Sequence, residues 1–130
     1  MPTFSKISKD RLATCHDDLQ RLFNEVIKHW DCTIVCGHRG KEDQDKAFAD
    51  GKSKVKWPNG KHNKFPSLAV DVMPYPIDWN DTKRNFAFAG FVLGIATMMG
   101  ISVRGGHDFD GDHNLNEGDS WDVPHWELKL

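Results

Sequence analysis

The stretch His62-Asn-Lys-Phe-Pro-Ser-Leu-Ala-Val-Asp71 decides the fold, because it joins an irregular loop to an apolar strand. Residues 68–72 are apolar except for Asp71, and this composition is typical of a short buried strand. Burying a carboxylate is costly unless it is paired or bound to a metal. His62 stands nine residues earlier, and the loop containing Pro66 can bring its imidazole beside the carboxylate. Taken alone, Asp71 is equally compatible with an edge strand on which it faces solvent.

A third candidate ligand lies near the C-terminus. His125 follows Pro124, which favours an extended conformation for the residue before it, and it leads into a predicted strand over 126–130. Two histidines and one aspartate form an N,N,O set that leaves room for water, as catalytic zinc sites require. His62, Asp71 and His125 are therefore candidate metal ligands, although seven histidines leave other triples open.

The remaining pattern predicts an α+β fold, a small antiparallel sheet with flanking helices. Helices before the first strand, interspersed strands and no regular βαβ alternation favour this class. The length of 130 residues predicts one domain over 1–130. Ser8 is expected to cap the first helix, and Gly90 and Gly94 are expected to bring the last helix close to the sheet. The predicted helices cover 9–14, 17–29, 42–50 and 81–100, the strands cover 33–36, 68–72, 101–104 and 126–130, and 52–67 is a loop.

Charge and hydropathy exclude several classes of function. The formal net charge is −2, so no overall positive field points to nucleic acid or to an anionic membrane. The longest apolar stretch, 86–99, has 14 residues, whereas spanning a bilayer takes about 20. The N-terminus lacks the apolar run of a signal peptide. We therefore expect a monomer that is soluble in the cytoplasm where it is made, with no nucleic-acid partner and no membrane insertion.

The cysteines suggest a second, weaker ligand set. Cys32, Cys36 and His38 are close in sequence, but the segment 32–36 is apolar and typical of a strand. Residues four apart on a strand are separated by about 13 Å, which is too far to share an ion. Three cysteines also disfavour a disulfide framework. We expect Cys32 and Cys36 to be small core residues.

The motif from His62 to Asp71 resembles the zinc motif of the peptidoglycan metallopeptidases related to D-alanyl-D-alanine carboxypeptidases. It is most similar to the phage L-alanyl-D-glutamate endopeptidases, in the variant in which the histidine and the aspartate are nine positions apart instead of seven. The segment 122–128 resembles the closing motif of the family, with an acid three residues before the last zinc histidine. Residues 37–44 resemble its substrate-side strand and helix, and 105–108 resemble its Gly-Gly-Asp-Trp loop, with His107 where an acid is usual.

This resemblance implies a role for each of these positions. Zinc would be bound by the three candidate ligands named above, and Asp122 would be the general base that takes a proton from water. Arg39 would stabilise the developing oxyanion or bind a substrate carboxylate, and Gln44 would contact the substrate. Glu127 is a rival base, since on an ideal strand it shares the face of His125 at about 6.7 Å, whereas Asp122 requires a distortion of the strand. We favour Asp122 and expect Glu127 to support the site.

An acidic loop follows the third predicted strand. Asp108, Asp110 and Asp112 alternate with other residues, and Asp119 lies eleven residues after Asp108. This spacing resembles a calcium-binding loop, except that His113 occupies the position where glycine is normal. A Ca²⁺ site and an acidic solvated loop are both compatible with the sequence.

The resemblance predicts a phage endolysin that cuts the bond between L-alanine and D-glutamate in the peptidoglycan stem peptide. Such an enzyme would be made in the bacterial host cytoplasm and reach the cell wall and periplasm after a separate partner permeabilises the membrane. Two alternatives remain: a D-Ala-D-Ala carboxypeptidase or dipeptidase, and a zinc-bearing wall-binding module without catalysis. The acid at position 122 argues against the second alternative.

Overall fold

The centre of the fold is a four-stranded antiparallel sheet. A computed structural model describes residues 1–113 and 122–129 of the chain. The strands are β1 (Cys32–Cys36), β2 (Ala69–Pro74), β3 (Val103–Gly105) and β4 (His125–Leu128), in the spatial order β1-β2-β4-β3. Strand β4, the last in sequence, is therefore inserted between β2 and β3. This arrangement brings the C-terminal motif against the strand that contains Asp71.

Helices surround this sheet: α1 (Lys6–Leu12), α2 (Asp17–Val26), α3 (Lys41–Ala49) and α4 (Thr82–Met99), and a short 3₁₀ helix covers Lys61–Asn63. Helices α1, α2 and α4 supply apolar side chains to the core on one face of the sheet, whereas α3 buries only Gln44. Successive side chains along β2 and β4 point to opposite faces of the sheet, so Val70 and Val72 face the core together with Trp126 and Leu128. The helices contribute the largest share of the buried side chains, including Leu19, Leu22, Phe23, Val26, Phe88 and Val92.

The predicted fold class is confirmed, and the differences concern the ends of helices and strands and one helix face. The first helix is capped by Ser5, whereas Ser8 is buried inside it and its Oγ accepts a hydrogen bond from the backbone N–H of Ile34. Gly90 and Gly94 lie on the exposed side of α4, so the expectation that they bring α4 close to the sheet is wrong. Small residues at this spacing do not reveal which side of an apolar helix is buried.

Among the described residues, no helix has both the length and the apolar character needed to cross a membrane. The long helix α4 instead begins at its Asp81 cap and ends at Gly100, whose φ of 70° is the left-handed conformation favoured by glycine. Its buried residues face the sheet and α2.

Candidate metal centre

The three predicted ligands meet on the face of the sheet opposite the helical core. Asp71 on β2 lies directly across from His125 on β4, so their side chains share one face. A bulge in β1 between Ile34 and Cys36 places Cys36 beside Asp71 at the same end of the sheet. His62 comes from the 3₁₀ helix, where its backbone carbonyl accepts a hydrogen bond from the N–H of Arg39. The loop preceding β2 thus folds back as the sequence predicted.

The distances between the ligand atoms fit a tetrahedral zinc ion. His62 Nε2 lies 3.2 Å from Asp71 Oδ1, and His125 Nδ1 lies 3.3 Å from the same oxygen. All three atoms are within 4.8 Å of one another. Tetrahedral coordination with bonds of about 2.0–2.1 Å separates ligand atoms by roughly 3.3 Å. Both distances to Asp71 therefore match this requirement, and the two histidine nitrogens lie within 4.8 Å of each other.

The outer hydrogen bonds of the two imidazoles also favour a cation at this point. His62 Nδ1 lies 2.8 Å from the carbonyl oxygen of Gly37, and His125 Nε2 lies 2.8 Å from Glu127 Oε1. Each of these nitrogens must donate a proton to its oxygen partner, which leaves the other nitrogen of a neutral ring with a lone pair. Both lone pairs then point at the Asp71 carboxylate. Three electron-rich atoms converging on one point need a proton or a metal ion between them.

The charges at the centre are strongly coupled. Burial opposes protonation of His62, but the Asp71 carboxylate outweighs it and raises the pKa of His62 to about 10. Burial likewise opposes ionisation of Asp71, yet His62 and His125 hold the pKa of Asp71 well below its usual range. The pKa of His125 is raised in turn by Asp71 and Glu127 against the effect of burial. Asp71 is therefore ionised and available as a ligand.

Asp122 lies beside the ligands but outside the set of three. Its Oδ2 is 3.7 Å from His125 Nδ1, and residues 123 and 124 form a turn before β4 begins. The turn replaces the distorted strand that the sequence required, and the N–H of His125 bonds the carbonyl of Asp122. Burial, together with the nearby charge of Asp71, raises the pKa of Asp122. A carboxylate with a raised pKa is a better proton acceptor than an ordinary aspartate.

Gly106 explains how Asp122 is held in place. The backbones of Gly106 and Asp122 are in direct contact, and a Cβ atom at Gly106 would lie 1.7 Å from the carbonyl oxygen of Asp122. The N–H of Gly106 also donates to the carbonyl of His125 at 2.7 Å. Only glycine allows this close approach. The glycine pair in the sequence signalled the loop, but not the fact that it fixes the candidate base.

Glu127 lies on the far side of the His125 ring from the ligand cluster. Besides His125 Nε2, it contacts Arg104 Nη2 at 2.8 Å and Lys61 Nζ at 3.1 Å. Burial would raise the pKa of Glu127, but these three partners hold it well below its usual range. A carboxylate engaged in this way orients the metal-binding imidazole. The geometry favours this supporting role over that of general base.

Arg39 and Gln44 lie together at the edge of the centre. Arg39 Nη2 is 3.6 Å from Asp71 Oδ2, and Nη1 donates to Gln44 Oε1 at 3.1 Å. Gln44 is 1% exposed, and its Nε2 donates to Ser53 Oγ and to the carbonyl of Val55. Because its amide is satisfied inside the protein, we interpret Gln44 as holding Arg39 rather than as contacting substrate, which differs from the prediction. Arg39 remains the candidate substrate-binding residue.

The cysteines do not join the cluster of ligand atoms. Cys32 is buried, and burial raises the pKa of its thiol to about 12. Cys36 Sγ lies 4.0 Å from His62 Nδ1, the nitrogen that already faces the Gly37 carbonyl. A ligand to the same ion would need to face His62 Nε2 instead. The geometry therefore favours the interpretation that these cysteines are not zinc ligands. Cys32 is a core residue as expected, whereas Cys36 is half-buried and lines the cavity described below.

The acidic loop forms a second group of carboxylates. Ligand oxygens of Asp108, Asp110 and Asp112 lie within 4.8 Å of one another. Asp108 is buried, and its Oδ1 has no hydrogen-bond partner among the described residues. His113 has a φ of 67°, so it adopts the left-handed turn for which glycine is normal at this position. Asp119 lies outside the described residues.

A cavity of about 880 Å³ opens onto the candidate metal centre. One wall is formed by α3, the residues on either side of it and the 3₁₀ helix, including Arg39 and Lys52. The candidate ligands and Asp122 form the floor, and the start of α4 and the loop before it contribute to another wall. A cavity of this size admits a substrate of several residues.

Comparison with protein families identifies the chain. The family model described as phage L-alanyl-D-glutamate peptidase matches residues 2–129. The chain belongs to this family. The motif-based recognition of a phage peptidase is thereby confirmed, and membership indicates a peptidoglycan hydrolase. No curated protein sequence matches the chain significantly.

A solved structure shares the fold of this family member. The crystal structure of the Serratia marcescens L-Ala D-Glu endopeptidase ChiX matches with a TM-score of 0.74 and 22% sequence identity. The match covers 98% of this chain and 90% of that one. At this level of identity the likeness supports the α+β architecture, and the site must be argued from its own residues.

Proposed function

We propose that this protein is a zinc-dependent endopeptidase that hydrolyses the L-Ala–D-Glu bond of the peptidoglycan stem peptide. The single observation that carries the proposal is the convergence of His62 Nε2, Asp71 Oδ1 and His125 Nδ1 at zinc-binding distances, in a chain of this family. The open cavity beside these atoms leaves a position for water and substrate. As an endolysin, the enzyme would act in the cell wall after the host membrane has been permeabilised.

The residues around the centre divide the chemistry among them. When bound, zinc lowers the pKa of water to roughly 7 and polarises the scissile carbonyl. Asp122 accepts the proton of the attacking water and passes it to the amine of the leaving D-glutamate. Arg39 offers forked donors to the developing oxyanion from the edge of the centre. Glu127 and the carbonyl of Gly37 hold the two imidazoles in the orientation that binding requires.

Cleavage of purified Gram-negative peptidoglycan tests this function directly. The zinc-loaded protein is expected to release fragments with new D-glutamate amino groups, which labelling of amino termini and mass spectrometry identify. Chelation of the metal should abolish the release, and one equivalent of zinc should restore it, because activation of water and polarisation of the carbonyl would depend on the bound ion. Cleavage that continues undiminished in chelator would overturn the metal-dependent mechanism.

The same experiment separates the endopeptidase from its alternative. A D-Ala-D-Ala carboxypeptidase or dipeptidase would release free D-alanine and leave the L-Ala–D-Glu bond intact. The family match over residues 2–129 favours the endopeptidase. A wall-binding module without catalysis would produce neither product, and the presence of Asp122 beside the ligands argues against it.

We further propose that the acidic loop binds Ca²⁺. Three carboxylates, the buried unpaired Oδ1 of Asp108 and the left-handed turn at His113 are the features on which this rests. Calcium prefers oxygen ligands of this kind. The loop follows β3 and lies close in sequence to Gly106, which touches Asp122, so an ordered loop would support the candidate base.

Thermal unfolding of the zinc-loaded protein tests the calcium site. Saturating Ca²⁺ at about 100 times its Kd is expected to add about 2.7 kcal/mol to the free energy of unfolding. Asp110→Asn should remove most of the resulting rise in Tm, because it takes one of the three negative carboxylates away from the ion. Asp110 is exposed, so this change should leave the fold itself intact. Asp45→Asn, which changes an exposed acid on α3, is the matched control and should respond as the wild type does. An equal rise in Asp110→Asn would show that the loop does not hold the ion.

A further inference from the structure

Trp79 is an unusually exposed aromatic side chain at the wall of the catalytic cavity. Its side chain and backbone are 59% exposed, and it lines the same cavity as His62, Asp71 and His125. Exposing the apolar ring of a tryptophan to water is unfavourable, and such residues often mark binding surfaces. Phe86 and Phe109 line the cavity as well. The metal centre therefore has an aromatic wall.

The loop that carries Trp79 is tied firmly to α4. Arg84 donates from Nη1 to the carbonyl of Pro76 at 3.0 Å and from Nη2 to the carbonyl of Tyr75. Asn85 Nδ2 donates to the carbonyl of Asp78 at 3.1 Å. These bonds fix the backbone that leads into the exposed ring. A platform that is ordered before binding loses less entropy when a ligand stacks on it.

Asn85 adds an unsatisfied polar group to this wall. It lines the cavity and is 6% exposed, and its Oδ1 is buried without a hydrogen-bond partner among the described residues. A buried carbonyl oxygen without a partner is costly, so a ligand N–H that bonded it would gain more than at a solvated surface. Thr82, one turn before Phe86 on α4, contributes a hydroxyl to the same wall. The wall thus combines an aromatic face with hydrogen-bonding groups.

The chemistry of the proposed substrate calls for such a surface. The L-alanine of the stem peptide is joined through a lactyl group to an N-acetylated amino sugar, so a sugar ring lies only one residue from the scissile bond. Sugar rings present an apolar face of C–H groups, which pack on tryptophan, and an acetamido N–H, which needs an acceptor. An enzyme that cuts this bond must accommodate the sugar or exclude it.

We propose that Trp79, with Thr82 and Asn85, forms a subsite for the N-acetylated sugar that carries the stem peptide. This inference rests on the proposed function and adds which end of the cavity receives the sugar and which receives the peptide. The free carboxylates of the peptide belong to its D-glutamate side. The cationic side chains of the cavity are Arg39 and Lys52, which stand before and after α3, and Lys61, which is already paired with Glu127. Charge complementarity therefore assigns the peptide to the α3 side of the cavity and the sugar to the start of α4.

Two soluble substrates with the same peptide test the subsite. One is a disaccharide-peptide, and the other is the peptide with an N-acetyl group in place of the sugar-bearing lactyl group. In Trp79→Ala, the ratio of kcat/KM for the disaccharide-peptide to that for the acetylated peptide is expected to fall about tenfold, the size of effect typical of an anchoring tryptophan. Trp79→Phe should give an intermediate ratio. An unchanged ratio in Trp79→Ala would overturn the proposal.

Ile77→Ala is the matched control, since Ile77 is an exposed apolar residue of the same loop that does not line the cavity. It should leave the ratio at the wild-type value. A second experiment tests the subsite without any bond being cut. The peptide-free disaccharide is titrated into the zinc-loaded protein, and the NMR resonance of the Trp79 indole N–H is monitored. A shift of that resonance that saturates in the wild type supports the subsite even if the scissile bond proves to be another one. The absence of any shift contradicts it.

Discussion

Replacing His62 or His125 with alanine is expected to abolish both stoichiometric zinc binding and hydrolysis. Each change removes one of three ligand atoms that converge at 3.2 and 3.3 Å. Loss of a residue that merely supports a ligand weakens metal affinity 10–100-fold, so loss of the ligand itself should exceed about 100-fold. Zinc per chain after dialysis against a competing chelator, measured by atomic emission, checks the result alongside peptidoglycan cleavage.

His29→Ala is the matched control for this experiment. His29 lies outside the site and pairs with Glu25 on the surface of α2 and the turn after it, so this variant should keep one zinc per chain. Combined Cys32→Ser and Cys36→Ser should also keep the metal, because Cys32 is buried elsewhere on β1 and the Cys36 thiol faces His62 Nδ1, not Nε2. A His62→Ala or His125→Ala protein that retained one zinc per chain through dialysis would disprove the ligand assignment.

Much of the candidate metal centre was predictable from short-range patterns. A lone carboxylate in the apolar segment 68–72 and a histidine leading into a strand both imply side chains on one face of a sheet. The structure places Asp71 and His125 as direct neighbours on adjacent strands. That the loop after His62 folds back toward Asp71 could be predicted only from the resemblance to known peptidases, since spacing alone does not determine how a loop folds.

The supporting contacts were not predictable, because they depend on residues distant in sequence. Gln44 holds Arg39 only because the loop after α3 provides partners for its amide. Gly106 holds Asp122 through contact of two backbones that are sixteen residues apart in the chain. A sequence shows the types of these residues, but their partners are known only once the tertiary fold is known.

The assignment of the two carboxylates also required the structure. On an ideal strand Glu127 shares a face with His125, and the structure agrees, but His125 uses its Nε2 for Glu127 and turns Nδ1 toward the ligand cluster. The ring therefore separates Glu127 from the cluster. Asp122, by contrast, lies 3.7 Å from Nδ1 on the same side as the other ligand atoms. This distinction depends on ring orientation, which no sequence pattern encodes.

Asp122→Asn is expected to retain zinc and lose most of its turnover. The change is isosteric, but an amide cannot accept the proton of the attacking water. General acid–base catalysis contributes roughly 10²–10⁴-fold, so kcat should fall within that range, which corresponds to about 3–5 kcal/mol of transition-state stabilisation. Steady-state cleavage of a soluble stem peptide gives kcat, and zinc content must be measured in the same preparation because metal loss would mimic a missing base.

Glu127→Gln is the matched carboxylate-to-amide control for this prediction. The amide can still accept a hydrogen bond from His125 Nε2, so the imidazole keeps its orientation while the ion pairs with Arg104 and Lys61 are weakened. Its kcat should therefore fall far less than that of Asp122→Asn, and any loss should accompany weaker zinc binding. If Glu127→Gln instead collapsed kcat with zinc intact while Asp122→Asn stayed active, Glu127 would be the base and Asp122 the supporting residue.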